Sequence, residues 1–207
     1  MFEQFLMVAG AHFLALLSPG PDFFLIVRAA LAHGWRRASG ICVGVALANG
    51  LFIGVALAGF SAIRPGSGLF TLLQWGGCLY LAWLGWRLLR SPGTPLVAGG
   101  AGADQPPLSW WSGLGMGFAS GLLNPKNALF YASLFSLLAG TPHERQAAYG
   151  AWMFCAVLGW DLLVAATAGH HAVVERFARR LQAIERTTGA VLLLLALGVA
   201  VSAVGGT

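Results

Sequence analysis

Apolar residues fall into six long stretches, with polar residues gathered between them. The stretches cover roughly residues 2–32, 39–63, 69–90, 110–139, 147–169 and 187–205. One helical crossing of the ~30 Å hydrocarbon layer needs about 20 apolar residues. The second, third, fifth and sixth stretches have about this length, whereas the first and fourth are longer and contain prolines. The pattern predicts six membrane-spanning helices, two of them interrupted.

Composition supports helices in a lipid bilayer over a water-soluble domain. The chain is 57% hydrophobic and 9% charged, whereas a soluble domain carries about 25% charged residues. Strands of a membrane barrel would alternate apolar and polar residues over ~10 positions, and this chain has continuous apolar runs instead. We therefore predict an all-α protein of the inner membrane.

Basic residues are distributed unequally between the two sides of the predicted spans. Nine arginines flank the first, third and fifth connections: Arg28, Arg36, Arg37, Arg87, Arg90, Arg176, Arg179, Arg180 and Arg186. Arg64 and Arg145 flank the other two connections. The positive-inside rule then places both termini outside the cytoplasm.

The N-terminal segment has no basic region before its apolar run, so it is interpreted as part of the first helix. The net charge of +5 is an orientation signal and does not indicate nucleic-acid binding.

A segment rich in glycine, alanine and proline divides the chain into two similar halves. We predict a single transmembrane domain, 1–207, with a first repeat at 1–90, a cytoplasmic linker at 91–109 and a second repeat at 110–207. Three spans in each half mean that the second half enters the membrane from the opposite face. The sequence therefore predicts a 3+3 inverted repeat, an arrangement common in secondary transporters.

The interruptions in the first and fourth stretches occupy corresponding places in the two halves. They consist of Ser18, Pro19, Gly20, Pro21 and Asp22 in the first and Asn124, Pro125, Lys126 and Asn127 in the fourth. Proline breaks a helix unless it lies in the first turn, and Ser or Asn followed by Pro is a favoured helix start. We expect Ser18 and Asn124 to cap new half-helices, whose N-termini suit a carboxylate. Simple proline kinks are the alternative, but two matched breaks with polar neighbours favour a binding site.

Three ionisable residues lie at membrane depth: Asp22, Lys126 and Asp161. A charge at the bilayer centre costs ~2.5–3.5 kcal/mol on insertion scales, so such residues are usually paired or face water. One interpretation is a structural ion pair between Asp22 and Lys126. In the other, Lys126 and the helix ends bind the carboxylate of an amino acid, and Asp22 or Asp161 binds its ammonium group and exchanges protons. Either way, we expect all three near a cavity between the halves.

Two further polar residues lie within predicted spans. Asn49, in the second span, corresponds roughly to Asp161 in the fifth, and is either a contact between helices or a ligand. His12, in the first span, is either a core histidine or part of a proton relay. Cys, His, Asp and Glu show no metal-ligand spacing. We therefore predict neither a metal site nor a cofactor.

Glycines recur every four residues in two predicted spans. They are Gly40 and Gly44 in the second span, and Gly113, Gly117 and Gly121 in the fourth. Small residues at this spacing allow close approach of membrane helices. The spacing fits contacts within the chain or the face of a homodimer, and six spans favour contacts within the chain.

Several of these motifs together resemble the LysE family of amino-acid exporters, RhtB type. The resemblance is carried by the segment 18–22, the glycine-flanked basic segment 34–44, the run 77–85 and the segment 124–127. It covers essentially the whole chain in order. It implies a six-helix carrier of the bacterial inner membrane that exports amino acids or close derivatives, driven by the proton gradient.

Two other functions are weaker interpretations of the same sequence. An intramembrane enzyme would need a nucleophile motif, a zinc-binding pair or paired acid and base residues, none of which the sequence contains. A passive channel or facilitator has no need of two broken helices around a titratable carboxylate. We therefore predict a proton-coupled exporter of amino acids.

Overall fold

Helices make up nearly all of the described structure. The computed structural model describes residues 2–62, 68–90, 108–138, 140–168 and 171–205. The helices are α1 Phe2–Leu17, α2 Pro21–His33, α3 Trp35–Ala62, α4 Gly68–Leu89, α5 Trp110–Leu123, α6 Pro125–Leu137, α7 His143–Thr167 and α8 His171–Gly205. These residues contain no strand, so the predicted all-α fold is confirmed for them. Most of the predicted linker, 91–107, lies outside the described residues.

The first and fourth apolar stretches are each divided into two helices, as predicted. Helices α1 and α2 meet at an angle of 56°, and α5 and α6 are separated only by Asn124. Pro21 and Pro125 occupy the first positions of α2 and α6, where a missing N–H costs no helical hydrogen bond.

The two breaks are capped differently, and one predicted cap is wrong. The side chain of Asn124 accepts a hydrogen bond from the backbone N–H of Lys126, as expected of an N-cap. Ser18 does not cap α2, because Gly20 is its N-cap and the N–H of Ser18 still bonds to Leu14. Ser18 and Gly20 both precede a proline, and a residue before proline is disfavoured in the helical region. The new helix therefore begins only after the second of these residues.

Many large apolar side chains are exposed on the surface of the described structure. Leu72, Leu79, Leu123 and Leu194 are each more than 60% exposed, and large apolar surfaces of this kind are stable in lipid rather than in water. Residues Trp35–Gly59 and His143–Thr167 are long and apolar enough to span a membrane, and α1 with α2 forms a bent third candidate. The described structure therefore supports a membrane protein, while six crossings stay a prediction.

Helix α8 is longer than the apolar pattern indicates. It begins at His171, whereas the sixth stretch was predicted to begin near residue 187. The preceding residues are too polar for hydrocarbon, but many of them, such as Ala, Arg, Leu and Glu, are strong helix formers. Glu185, which the sequence places in a connection, therefore lies within a helix and is buried.

The glycine motifs bring α3 and α5 into close contact. A Cβ atom added to Gly44 would collide with the backbone of Leu114, and one added to Gly117 would collide with the backbone of Ile41. Only glycine allows backbones to approach this closely. The predicted contacts within the chain are thus confirmed, and a homodimer stays a prediction.

Two apolar clusters hold the helices together, and a cavity lies between them. One cluster includes Tyr131 and Phe135 of α6, and the other includes Val45 of α3 and Val157 of α7. Tyr131, Val45 and Val157 also line the cavity. Residues of both halves of the chain therefore line this cavity.

Candidate functional site

The central cavity is enclosed by helices from both halves of the chain, close to the two breaks. Eight of the predicted site residues line it: Ser18, Gly20, Asp22, Asn49, Asn124, Lys126, Asn127 and Asp161. The structure therefore brings Asp22, Lys126 and Asp161 to one cavity. Pro19 and Pro21 are not among its lining residues. Pro125 is the first residue of α6.

The carboxylate of Asp22 is held by three donors from the second half. Asn124 donates to Oδ2 at 2.9 Å and Asn127 donates to the same oxygen at 3.0 Å. The hydroxyl of Ser120 donates to Oδ1. Hydrogen bonds to an ionised group contribute about 1.5–3 kcal/mol each, so these contacts tie the first half to the second. They also occupy both oxygens of Asp22.

Lys126 makes the reciprocal contact from the second half to the first. Its Nζ donates to the carbonyl of Ser18 at 2.8 Å and to that of Ala15 at 3.0 Å. The last carbonyls of a helix have no partner within the helix, so the ammonium group satisfies the broken end of α1. Thr188 of α8 similarly donates to the carbonyl of Leu14 at 3.0 Å.

The contacts of Lys126 and Asp22 replace the direct ion pair that one interpretation predicted. Lys126 bonds to backbone carbonyls, and Asp22 bonds to neutral amide and hydroxyl groups. Both charges lie where the two breaks, residues 18–22 and 124–127, contact each other, a place that we call the crossing of the breaks. The two charged groups do not contact each other directly. The crossing is therefore polar and charged.

Asp161 is buried in α7, at 8% exposure, and lines the central cavity. Its Oδ2 atom is buried without a hydrogen-bond partner among the described residues. A buried carboxylate oxygen without a partner is costly. Unlike Asp22, Asp161 thus keeps an acceptor atom that no described residue uses.

Asn49 of α3 also lines the cavity. Its amide nitrogen donates to the carbonyl of Val45, one turn earlier in the same helix, at 2.8 Å. This bond does not join two helices, as the interhelical interpretation would require. The cavity-lining position instead favours the interpretation as a ligand.

His12 is almost completely buried and has one partner. Its Nε2 lies 3.2 Å from the hydroxyl of Tyr131, and its Nδ1 is buried without a partner among the described residues. Both residues line the central cavity together with Asp161. His12 is therefore a half-satisfied core histidine beside the cavity.

Sequence reasoning missed three residues of this region: Ser120, Tyr131 and Glu185. Ser120 lies four residues before Asn124, and positions four apart share a helix face, so its contact with Asp22 follows from helical spacing. Tyr131 lies four residues after Asn127 on the same face. No sequence pattern pointed to Glu185, because it lies outside the sixth apolar stretch.

The described residues hold no group of three His, Cys, Asp or Glu that could bind a metal.

Comparison with known proteins gives a consistent result. A family model described as LysE type translocator matches residues 13–203. The threonine efflux protein of Escherichia coli K12 is 32% identical over 172 residues, covering 80% of this chain and 82% of the relative.

Two further relatives match shorter parts of the chain. The leucine efflux protein of Enterobacter sp. strain 638 is 32% identical over 62% of this chain and 59% of its own length. The cysteine/O-acetylserine efflux protein of Salmonella typhimurium is 30% identical over 50% of this chain and 51% of its own length. No solved structure matches the sequence.

Proposed function

Since this chain belongs to the family of LysE type translocators, we propose that it exports a small amino acid, or a close derivative, across the inner membrane of a bacterium. Translocators move solutes and are not enzymes, which leaves no place for an intramembrane enzyme. The named substrates of its relatives, threonine, leucine and cysteine with O-acetylserine, are all amino acids or derivatives. All of them carry an ammonium and a carboxylate group, so the site must accept a zwitterion.

The helices cross the membrane six times as a 3+3 inverted repeat. In this arrangement α1 with α2 and α5 with α6 are the two broken crossings, and α3, α4, α7 and α8 are the others. The contacts α3 with α7 and α4 with α8 support it, because they pair corresponding helices of the two halves. The two breaks then meet near the bilayer centre, as in other transporters with discontinuous helices.

Both termini lie on the periplasmic side, as the distribution of arginines predicts. Alkaline phosphatase fused after Thr207 is expected to be active, because that enzyme folds only outside the cytoplasm. The matched fusion within the linker, after Gly100, is expected to be inactive. A green fluorescent protein at the same two positions should give the opposite pattern. Phosphatase activity at Gly100 and not at Thr207 would contradict the proposed orientation.

Asp161 is the residue that alternately binds the ammonium group of the substrate and a proton. The observation that carries this proposal is its buried carboxylate oxygen without a partner in a cavity shared with Lys126. Asp22, with both oxygens already bonded, serves the contact between the halves. Lys126 and the N-termini of α2 and α6 attract the substrate carboxylate, since helix N-termini carry partial positive charge. Asn49 supplies a neutral polar contact.

Uptake into inside-out membrane vesicles tests export directly. With the lumen one pH unit more acidic and the potential clamped, L-threonine should accumulate up to about tenfold, because one pH unit corresponds to about 1.4 kcal/mol. A panel of small neutral, branched and basic amino acids would then establish the substrate range. The control is vesicles lacking the protein.

Two outcomes of the vesicle experiment would contradict the proposal. Uptake that reaches only equal concentrations, with or without the gradient, would indicate a facilitator in place of proton antiport. Transport of no amino acid in the panel would contradict amino-acid export itself.

A further inference from the structure

A second cavity lies on the other side of the crossing of the breaks, and we refer to it as the vestibule. It is lined by both breaks, by the last turns of α4 and by Glu185 of α8. The vestibule and the central cavity share Ser18, Gly20, Asn124 and Lys126. The crossing of the breaks therefore borders both cavities.

Among the described residues that line the vestibule, Glu185 is the only acidic one. It is 3% exposed, and its Oε2 has no hydrogen-bond partner within the described ranges. Leaving such an acceptor unused costs free energy, so the burial of Glu185 requires an explanation. The proposed binding site around Asp161 does not explain the burial of Glu185, because Glu185 does not line the central cavity.

Cationic groups lie on the other walls of the vestibule. Lys126 borders it at the crossing, and Arg87 and Arg90 border it from the end of α4. The guanidinium group of Arg87 lies 5.4 Å from the ring of Trp83, and that of Arg90 lies 4.1 Å from the ring of Trp86. Cation–π contacts of this kind hold guanidinium groups in place. The vestibule is thus lined by one buried carboxylate and by several cationic side chains.

The vestibule faces the arginine-rich side of the protein. Arg87 and Arg90 belong to the set that the positive-inside rule assigns to the cytoplasm. Gly189, one turn after Glu185, allows α8 to approach Gly85 of α4 closely. This contact brings Glu185 beside the end of α4 and keeps it within the vestibule.

We propose that the vestibule is a cytoplasmic loading site, in which Glu185 binds the ammonium group of the amino acid while Lys126 and Arg87 face its carboxylate. The proposal rests on the proposed function as an exporter. A zwitterion needs one anion and at least one cation, and side chains of both signs line the vestibule. Lys126 is common to both cavities, so it remains near the carboxylate as the substrate passes to the central cavity.

Glu185→Gln tests the proposal in inside-out vesicles, whose outer face is the cytoplasmic one. With L-threonine as the probe, the variant should show a KM raised about tenfold or more, the loss expected for one charge-assisted contact. L-threoninol keeps the ammonium group and lacks the carboxylate. It should compete with threonine uptake in the wild type and lose most of that competition in Glu185→Gln.

Two variants provide the controls. Glu144→Gln removes an exposed carboxylate in the first turn of α7 and should leave KM and competition unchanged. Glu185→Asp keeps the charge and should restore part of the competition, which also provides a test if Glu185→Gln does not fold. An unchanged KM with a reduced maximal rate would show that Glu185 only balances the charge of Lys126, and would overturn the proposal. Failure of the wild type to transport any amino acid would instead contradict the proposed function.

Discussion

The Asp161→Asn variant is expected to abolish proton-driven accumulation of substrate. Under a gradient of one pH unit, the concentration ratio across inside-out vesicles should fall from up to about tenfold to about one. Asparagine has nearly the shape of aspartate, but it cannot carry a proton and it offers an ammonium group no negative charge. The measurement is uptake of L-threonine with the gradient present and after its collapse by a protonophore.

Thermal stability separates the role of Asp161 from that of Asp22. Because the Oδ2 of Asp161 is buried without a partner, its replacement by neutral Asn should leave the melting temperature unchanged or raise it. Asp22→Asn replaces one of the two acceptor oxygens with an NH2 group, so at least one of the three hydrogen bonds from the second half is lost. Donors then face a donor, and the melting temperature should fall. If Asp161→Asn, confirmed in the membrane, accumulated substrate normally, the assignment of Asp161 would be wrong.

The Gly117→Ala variant is expected to lose most of its folded protein. A Cβ atom at this position would collide with the backbone of Ile41 in α3. Overpacking costs typically about 1–3 kcal/mol and occasionally more, and the cost should lie at the upper end here because backbone cannot change rotamer. The measurement is the yield of monodisperse protein in a mild detergent, together with its melting temperature.

Gly115→Ala is the matched control for Gly117→Ala. Gly115 lies on the same helix, is exposed, and a Cβ atom there would have no neighbour within 4 Å. The same change of residue, two positions away, should therefore leave yield and melting temperature unchanged. Equal melting temperatures for the two variants would mean that α3 and α5 do not approach each other as closely as described.

The lengths of the apolar stretches and the positions of the prolines predicted much of the fold, because both depend only on neighbouring residues in the sequence. A proline after a capping residue begins a helix wherever the rest of the chain lies, so the breaks and the cap at Asn124 were predictable. The error at Ser18 was also local, since two residues preceding prolines competed for the same helix start. The start of α8 was misjudged, because apolarity defines the part of a helix that lies in hydrocarbon and not where the helix begins.

Contacts between the halves could not be predicted in the same way. The sequence placed Asp22 and Lys126 in corresponding breaks, and a direct ion pair between them was one of its two interpretations. Packing instead directs the ammonium group of Lys126 to the carbonyls of Ala15 and Ser18, and surrounds Asp22 with uncharged donors. Which of several polar groups within reach becomes the partner depends on offsets of a few ångströms between helices.

The sequence by itself determined that this protein is made of apolar helices, that two of them are broken at prolines, and that most arginines lie between the apolar stretches. These properties depend on residue type and spacing along one chain segment. Only the tertiary structure decided that Asp22 is satisfied while Asp161 and Glu185 are not. Whether a buried carboxylate has a partner depends on atoms supplied by distant segments, and no local pattern records where those atoms lie.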